Sequence, residues 1–261
     1  MAVVGTILGD IAGSQYEFDR ATKQQALEAP LFDEKYCRFT DDTVMTLAVK
    51  YAIDNNIDYC TAMHRVGAKY PNCGYGETFY SWIFRGLTEP YNSWGNGSAM
   101  RASYIGEYFE DINEVIEQAI ASAAVSHNHP EGIKGAVVTA VCVWMAKHGK
   151  NKQEIHDYVL EQYPASQYQY TVDSDLDELE KSYRWDVSCQ GSVPVAIKCF
   201  LDSDSYESFL RNVFRLECDA DTLGAIGGGV AEEFYHGTGY DEKSLINRYL
   251  DDYLKSILYT G

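Results

Sequence analysis

Thr40-Asp41-Asp42-Thr43 and Asp219-Ala220-Asp221-Thr222 are the stretches of this sequence best equipped for chemistry. Each places two carboxylates and at least one hydroxyl just ahead of an apolar run with helical spacing. Such residues have two uses. Asp and Thr are good N-caps, and acidic side chains suit the positive end of a helix dipole. The same oxygens are the ligands that hard divalent cations such as Mg²⁺ and Mn²⁺ prefer. If the two stretches meet, Asp41, Asp42, Asp219 and Asp221 carry four negative charges that repel unless cations intervene. Two divalent ions balance four carboxylates, and a metal pair about 3.5–4 Å apart is a common hydrolytic device. Spacing along the chain does not show that they meet, so capping and ligation both stay open on these residues.

Four further stretches carry chemically useful groups. "GDIAGSQYE" (9–17) sets Gly9 and Gly13 four apart, giving one bare helix face for close packing, and ends on Glu17. A glutamate there reads either as a solvated helix-end residue or, beside a metal pair, as an acid, base or gate. "NSWGNGSAMR" (92–101) puts Gly95 and Gly97 among Asn and Ser ahead of an expected helix. Such a loop can turn N–H groups toward phosphate oxygens, and Trp94 can stack on a base; an ordinary turn with a core Trp is the alternative. "SHNHPEG" (126–132) holds His127 and His129 in H-x-H spacing, but no other His or Cys stands at supporting spacing for zinc. "DSDLDELE" (173–180) lacks the glycine and glutamate of a calcium loop and reads as a solvated acidic face.

These groups need elements to position them, and the pattern is helical. Residues 43–53, the stretch beginning at Asn113, the capping-box segment from Asn151 to Glu154 onward, and residues 242–258 all show a three-to-four-residue apolar period. Asn113 is the expected N-cap of its helix. The segment 130–149 opens with Pro, closes with Lys147, His148 and Gly149, and carries no charge over 135–146, which marks a buried helix. Twelve such residues are too few to cross a bilayer, which takes about 20. Most of the six prolines fall between helical segments, no linker or repeat divides the chain, and no alternating strand with a hairpin signal is found. The expected class is all-α, a single domain over 1–261.

Composition narrows the partners. The 261 residues are 46% hydrophobic with a formal net charge of −18. That balance supports a sizeable core and disfavours nucleic acid and anionic membranes as partners. Seven cysteines, odd in number and without CxxC spacing, fit a reducing cytoplasm better than a disulfide framework or a zinc site. The N-terminal stretch has no basic start and carries Asp10 within its apolar run, so it does not read as a signal peptide.

Taken in order, "GDIAGSQYE", "FTDDTVMTLA", "NSWGNGSAMR", "SHNHPEGIKGA", "CQGSVPVAI" and "DADTLGAIGGGVAEEFYHG" resemble the ADP-ribosylglycohydrolase family, over residues 5 to about 237. The resemblance implies a compact all-α fold and hydrolysis of the glycosidic bond between ADP-ribose and an acceptor, which is a protein side chain or a small molecule. It implies two Mg²⁺ or Mn²⁺ ions held by Thr40, Asp41, Asp42, Asp219, Asp221 and Thr222. It implies catalytic or gating duty for Glu17, with Asp219 or Asp221 acting on water. The Gly-rich loop, Ser93, Gly95, Asn96, Gly97 and Ser98, would bind the diphosphate, Trp94 the adenine, and His127 the phosphate or ribose region. The chain departs from the family pattern in two places: Glu217-Cys218 stands where many members have Gly-Gly, and Arg101-Ala102-Ser103 replaces a commoner Arg-Val-Ser/Ala-Pro. Neither removes an expected ligand. The rival readings are a non-catalytic ADP-ribose-binding module of the same fold and a metal-dependent hydrolase of another phosphorylated nucleotide. The acceptor is left open.

Overall fold

The computed structural model describes residues 1–18 and 21–260. Fifteen α-helices occur among them, and no β-strand: α1 (Ala2–Gly13), α2 (Lys23–Glu28), α3 (Asp41–Asn55), α4 (Tyr59–Gly67), α5 (Glu77–Phe84), α6 (Ser103–Tyr108), α7 (Ile112–Ala124), α8 (Pro130–Lys147), α9 (Lys152–Gln162), α10 (Leu176–Ser182), α11 (Cys189–Leu201), α12 (Tyr206–Phe214), α13 (Ala220–Tyr235), α14 (Glu242–Tyr249) and α15 (Asp252–Leu258). The all-α class is as the sequence predicts, and buried apolar side chains from all parts of the chain join in one core.

The middle of that core is a close pairing of α1 with α13. Every residue of α1 is buried. Its glycines recur every fourth position and so lie on one face. They oppose small residues of α13 running the other way: a Cβ added to Gly5, Gly9 or Gly13 would lie 2.4, 2.0 or 2.3 Å from the carbonyl oxygens of Gly228, Gly224 and Ala220 respectively. The bare face expected from Gly9 and Gly13 is thus in use. Tyr206 of α12 donates its hydroxyl to the Gly5 carbonyl at 2.6 Å, pinning the seam from the side. The first-turn N–H groups of Ala2, Val3 and Gly5 are taken by the carboxylates of Glu233, Glu107 and Glu232, which complements the positive helix end.

Around this pair the other long helices follow their end signals. α8 begins with Pro130 in its first turn, with His129 as N-cap, and stops before Gly149 at φ +70°. It packs on α6, α7, α11 and α13. The Asn151–Glu154 capping box opens α9 as expected. Three details differ from the sequence reading. α7 is capped by Asp111, whose side chain accepts from the Asn113 and Glu114 N–H groups, so Asn113 sits inside the first turn. The segment 242–258 is two helices: Leu250 is extended and Asp251 starts α15 by accepting from the Leu254 N–H. Leu250, Leu254 and Leu258 are nonetheless all buried, so the apolar period survives the break. Finally, Pro194 lies inside α11 rather than between helices.

The glycine seam yields a stability prediction. Gly9→Ala drives a methyl group into the Gly224 backbone, and overpacking of that kind is expected to cost about 3 kcal/mol, outweighing a helix-propensity gain of ~1 kcal/mol. Urea denaturation should show a lowered midpoint. Gly76→Ala, whose added Cβ meets nothing within 4 Å among the described residues, should cost less than about 1 kcal/mol.

Candidate functional site

The packing of α1 decides where the acidic residues fall. Asp10, on α1, accepts from the Thr40 N–H (2.9 Å), the Thr40 hydroxyl (2.7 Å), the Thr43 N–H (3.0 Å) and the Thr43 hydroxyl. It therefore holds the start of α3 from a neighbouring helix. Because Gly13 abuts Ala220, the end of α1 lies beside the start of α13. The two acidic helix starts meet here: the Thr222 hydroxyl lies 3.4 Å from Asp42 Oδ2 although 180 residues separate them.

Capping explains only part of this arrangement. Thr40 is the N-cap of α3, its side chain accepting from the Asp42 N–H. Asp219 occupies the N-cap position of α13 but its side chain makes no cap bond. Asp42 Oδ1 is buried with no hydrogen-bond partner among the described residues. Oxygens of Asp10, Asp42 and Asp221 lie within 4.8 Å of one another, as do those of Glu17, Asp219 and Asp221. Asp221 belongs to both groups. Asp10, Asp42, Asp219 and Asp221 are buried and Asp41 is partly so. Among the described residues no lysine or arginine pairs with these five, and the Arg38 guanidinium stands 3.9 Å from the neighbouring Glu17.

The electrostatic consequence is direct. Burial first, then the neighbouring carboxylates, push Asp41, Asp42 and Asp221 well above the usual carboxylate range. Asp10 and Asp219 also rise through burial, opposed by bonds from Thr40 and Thr43 and from Asn96. Burial and the Asp219 charge push Glu17 up to about 7. An oxygen-only, anionic cluster with an orphaned carboxylate oxygen suits hard divalent cations.

A cavity of about 670 Å³ opens over this cluster. It is lined by Glu17, Asp41, Asp42, Asp219, Asp221 and Thr222, by Ser93, Trp94, Gly95, Asn96 and Gly97, and by His127. Thr40 and Ser98 are buried and do not line it. The Ser98 hydroxyl instead donates to the Gly132 carbonyl at 2.7 Å, fixing the loop to α8. The loop is tied from the other side as well: the Asn96 N–H donates to the Val187 carbonyl (2.8 Å) and the Cys189 N–H to the Trp94 carbonyl (2.9 Å). The Gly95 N–H goes to Ser93 Oγ (3.1 Å). The Asn96 amide donates to Asp219 Oδ2 at 2.8 Å, joining the loop directly to the acidic cluster. Trp94 is half exposed at the rim, where Phe18 and Trp185 also stand with 75% and 48% of their surfaces exposed. Cys218 lies outside this lining, its thiol 3.5 Å from the Val213 carbonyl. His129 caps α8 through Nδ1, so the H-x-H pair is split between two tasks.

Sequence reasoning had no role for Asp10, Phe79, Tyr91, Arg101 or Trp185, all placed at or next to the cavity. Asp10 left a signal, a lone charge in an otherwise apolar helix. Trp185 left none, because nothing in its acidic neighbourhood predicts that it reaches the rim.

A sequence model of the ADP-ribosylglycohydrolase family matches residues 1–231. The mouse and human proteins named ADP-ribosylhydrolase ARH3 are each 25% identical to this chain, over 89% of it and over 82% and 84% of their own lengths. A putative ADP-ribosyl glycohydrolase of Acanthamoeba polyphaga mimivirus is 26% identical, covering 91% of this chain and 86% of its own. Among solved structures, one described as an ADP-ribosylglycohydrolase-related protein complex superposes with a TM-score of 0.72 at 19% identity, over 98% of this chain and 92% of that one.

The raised carboxyls fix the direction of a pH effect. A carboxyl whose folded pKa is raised binds its proton more tightly folded than unfolded, so the stability it lends is present at low pH and lost as pH rises. For Glu17 the loss runs from about 4.5 to about 7, and the buried aspartates add to it in the same direction. Metal-free protein should therefore gain little in Tm from millimolar Mg²⁺ near pH 4.5 and several degrees at pH 7 or above. Thermal unfolding with and without chelator checks this.

Proposed function

The chain belongs to the ADP-ribosylglycohydrolase family, and we propose that it hydrolyses the glycosidic bond between ADP-ribose and an acceptor, at a centre built for two divalent cations, Mg²⁺ or Mn²⁺. The observation that carries this reading is Asp221, shared between two three-carboxylate groups beside a tethered Gly-rich loop in one cavity.

Thr40, Asp41, Asp42, Asp219, Asp221 and Thr222 would hold the cations. When bound, these neutralise the buried carboxylates, orient ribose hydroxyls and make a water easier to ionise. The protein's own groups do the rest. Asp219 or Asp221 orients the attacking water and accepts its proton at a carboxylate oxygen. Glu17, raised to about 7 by burial and by Asp219, carries a proton to give to the leaving group near neutral pH. The surrounding carboxylates favour the oxocarbenium-like transition state. Trp94 offers the adenine a stacking face, and Ser93, Gly95, Gly97 and His127 meet the diphosphate. Asn96 and Ser98 serve that binding by holding the loop, through Asp219 and Gly132. An acidic protein can take this anionic ligand because the charge in the cavity is set locally, by cations and polar donors.

Other parts of the reading rest on less specific observations. Among the described residues no helix is long and apolar enough to cross a membrane. No disulfide joins any of the seven cysteines among the described residues, which supports a cytoplasmic location. The acidic surface supports ADP-ribosylated proteins or small molecules as substrates, with nucleic acid entering only as an ADP-ribosylated acceptor.

A release assay tests the reaction, using ADP-ribosylated arginine, serine and nucleic acid and O-acetyl-ADP-ribose. Turnover should vanish in chelator and return with Mg²⁺ or Mn²⁺. Asp221→Asn should lower turnover at least about a thousandfold, the scale of losing a preorganised electrostatic contact, and weaken cation binding. Wild-type activity of that variant in chelated buffer would end the two-metal proposal. ADP-ribose binding without turnover of any conjugate would identify a binding module instead. Trp94→Ala should raise KM about tenfold through lost base stacking and leave kcat nearly unchanged, which steady-state kinetics reads.

A further inference from the structure

Arg101 is a fully buried cation that no carboxylate pairs with among the described residues. Its Nη2 donates to the Ser122 carbonyl (3.0 Å) and to Ser126 Oγ (3.1 Å), while its Nε and Nη1 have no hydrogen-bond partner among the described residues. The guanidinium carbon lies 5.6 Å from the centre of the Phe79 ring. Burial lowers its pKa only to about 10, so it stays charged at neutral pH. A dehydrated charge so poorly paired is expensive, and the hydrolytic reading leaves it without a task.

Proton counting at Ser126 supplies one. A serine hydroxyl has one proton and two lone pairs, and an arginine only donates. Arg101 Nη2 occupies a lone pair of Ser126 Oγ, and the same oxygen lies 2.8 Å from His127 Nδ1. Among the described residues the hydroxyl has no other partner, so its proton goes to Nδ1. Nδ1 is then an acceptor, and the proton of the neutral ring sits on Nε2. Burial, and next the Arg101 charge, hold the imidazole neutral by pulling its pKa well below the usual value.

The free end of the ring faces the Gly-rich loop. A Cβ added to Gly97 would lie 3.2 Å from His127 Nε2, and one on Gly95 3.6 Å. The rings of Phe79 and Tyr91 pack edge-on against the imidazole at 6.1 and 5.7 Å and fix its plane. We propose that Arg101 is a positioning residue: acting through Ser126, it locks His127 as the Nε2–H tautomer, so the ring presents a neutral hydrogen-bond donor to the diphosphate of the substrate beside Gly95 and Gly97. The opposite tautomer would turn a lone pair toward the same anion. The ligand assignment rests on the proposed function; the tautomer rests on the hydrogen-bond geometry alone.

The test reads the two separately. Nitrogen-15 NMR of histidine-labelled protein, with the His127 signals identified by their loss in His127→Gln, should show the Nε2–H tautomer at neutral pH. Ser126→Ala should shift the ring toward Nδ1–H and weaken ADP-ribose binding about tenfold by calorimetry, one hydrogen bond to a charged group. The same factor should appear in KM and not in kcat, and Ser126→Thr, which keeps the hydroxyl, should restore both readouts. Arg101→Met should behave like Ser126→Ala; if it does not fold, the alanine and threonine pair decides alone. An Nδ1–H ring in the wild type, or unchanged affinity in Ser126→Ala, overturns the relay. Failure of the wild type to bind ADP-ribose overturns the diphosphate reading instead, with the NMR result still judging the tautomer.

Discussion

The structure depends on one backbone-to-backbone contact, the seam where α1 and α13 touch through glycine and alanine. Helices that carry side chains pack with axes about 8–10 Å apart. Positions where an added Cβ would fall 2.0–2.4 Å from a facing carbonyl oxygen allow no such separation. The close approach fixes α1 along and across α13 together, because one-residue slips bring a side chain into the seam. Asp10 and Glu17 inherit that placement, and through Asp10 so does the start of α3. The seam is thus a ruler from which the positions of three acidic segments are measured.

What the ruler assembles is unfavourable on its own terms. Five carboxylates stand near two helix N-termini, largely out of water and, among the described residues, without a paired lysine or arginine. The positive ends of α3 and α13 offset part of the repulsion, each by a contribution of about 0.3–1 kcal/mol. Hydrogen bonds from Thr40, Thr43 and Asn96 offset more. The remainder appears as raised pKa values, the ordinary response of buried like charges. A cluster in this condition has the oxygen-only, anionic chemistry that suits divalent cations, before any substrate is considered.

Much of this was legible in the chain. Helix starts announce themselves by short-range chemistry, so "TDDT", "DADT", the Pro130 start and the Asn151 capping box could be read from neighbours alone. The all-α class followed from periodicity, and the family from six motifs in order. The convergence of the two acidic starts could not be read, because 180 residues of chain between Asp42 and Thr222 leave their distance undetermined. The same limit hid Trp185 at the rim and the task of Arg101, whose partners lie over twenty residues away. Local misreadings have local causes. Asp111 outcompetes Asn113 as a cap because its carboxylate reaches two N–H groups. Asp251 interrupts a helical period that Leu250, Leu254 and Leu258 continue, since burial asks only for an apolar face and not for an unbroken rod.

The bond from the Asn96 amide to Asp219 has a thermodynamic consequence of its own. It makes the loop and the acidic cluster parts of one equilibrium. A ligand that orders Asp219 thereby restrains Asn96, and one that orders the loop restrains Asp219. Coupling of this kind is reciprocal: whatever factor one occupant lends to the affinity of the other, it receives back unchanged. For two occupants coupled in this way, the apparent affinity of either depends on the concentration of the other.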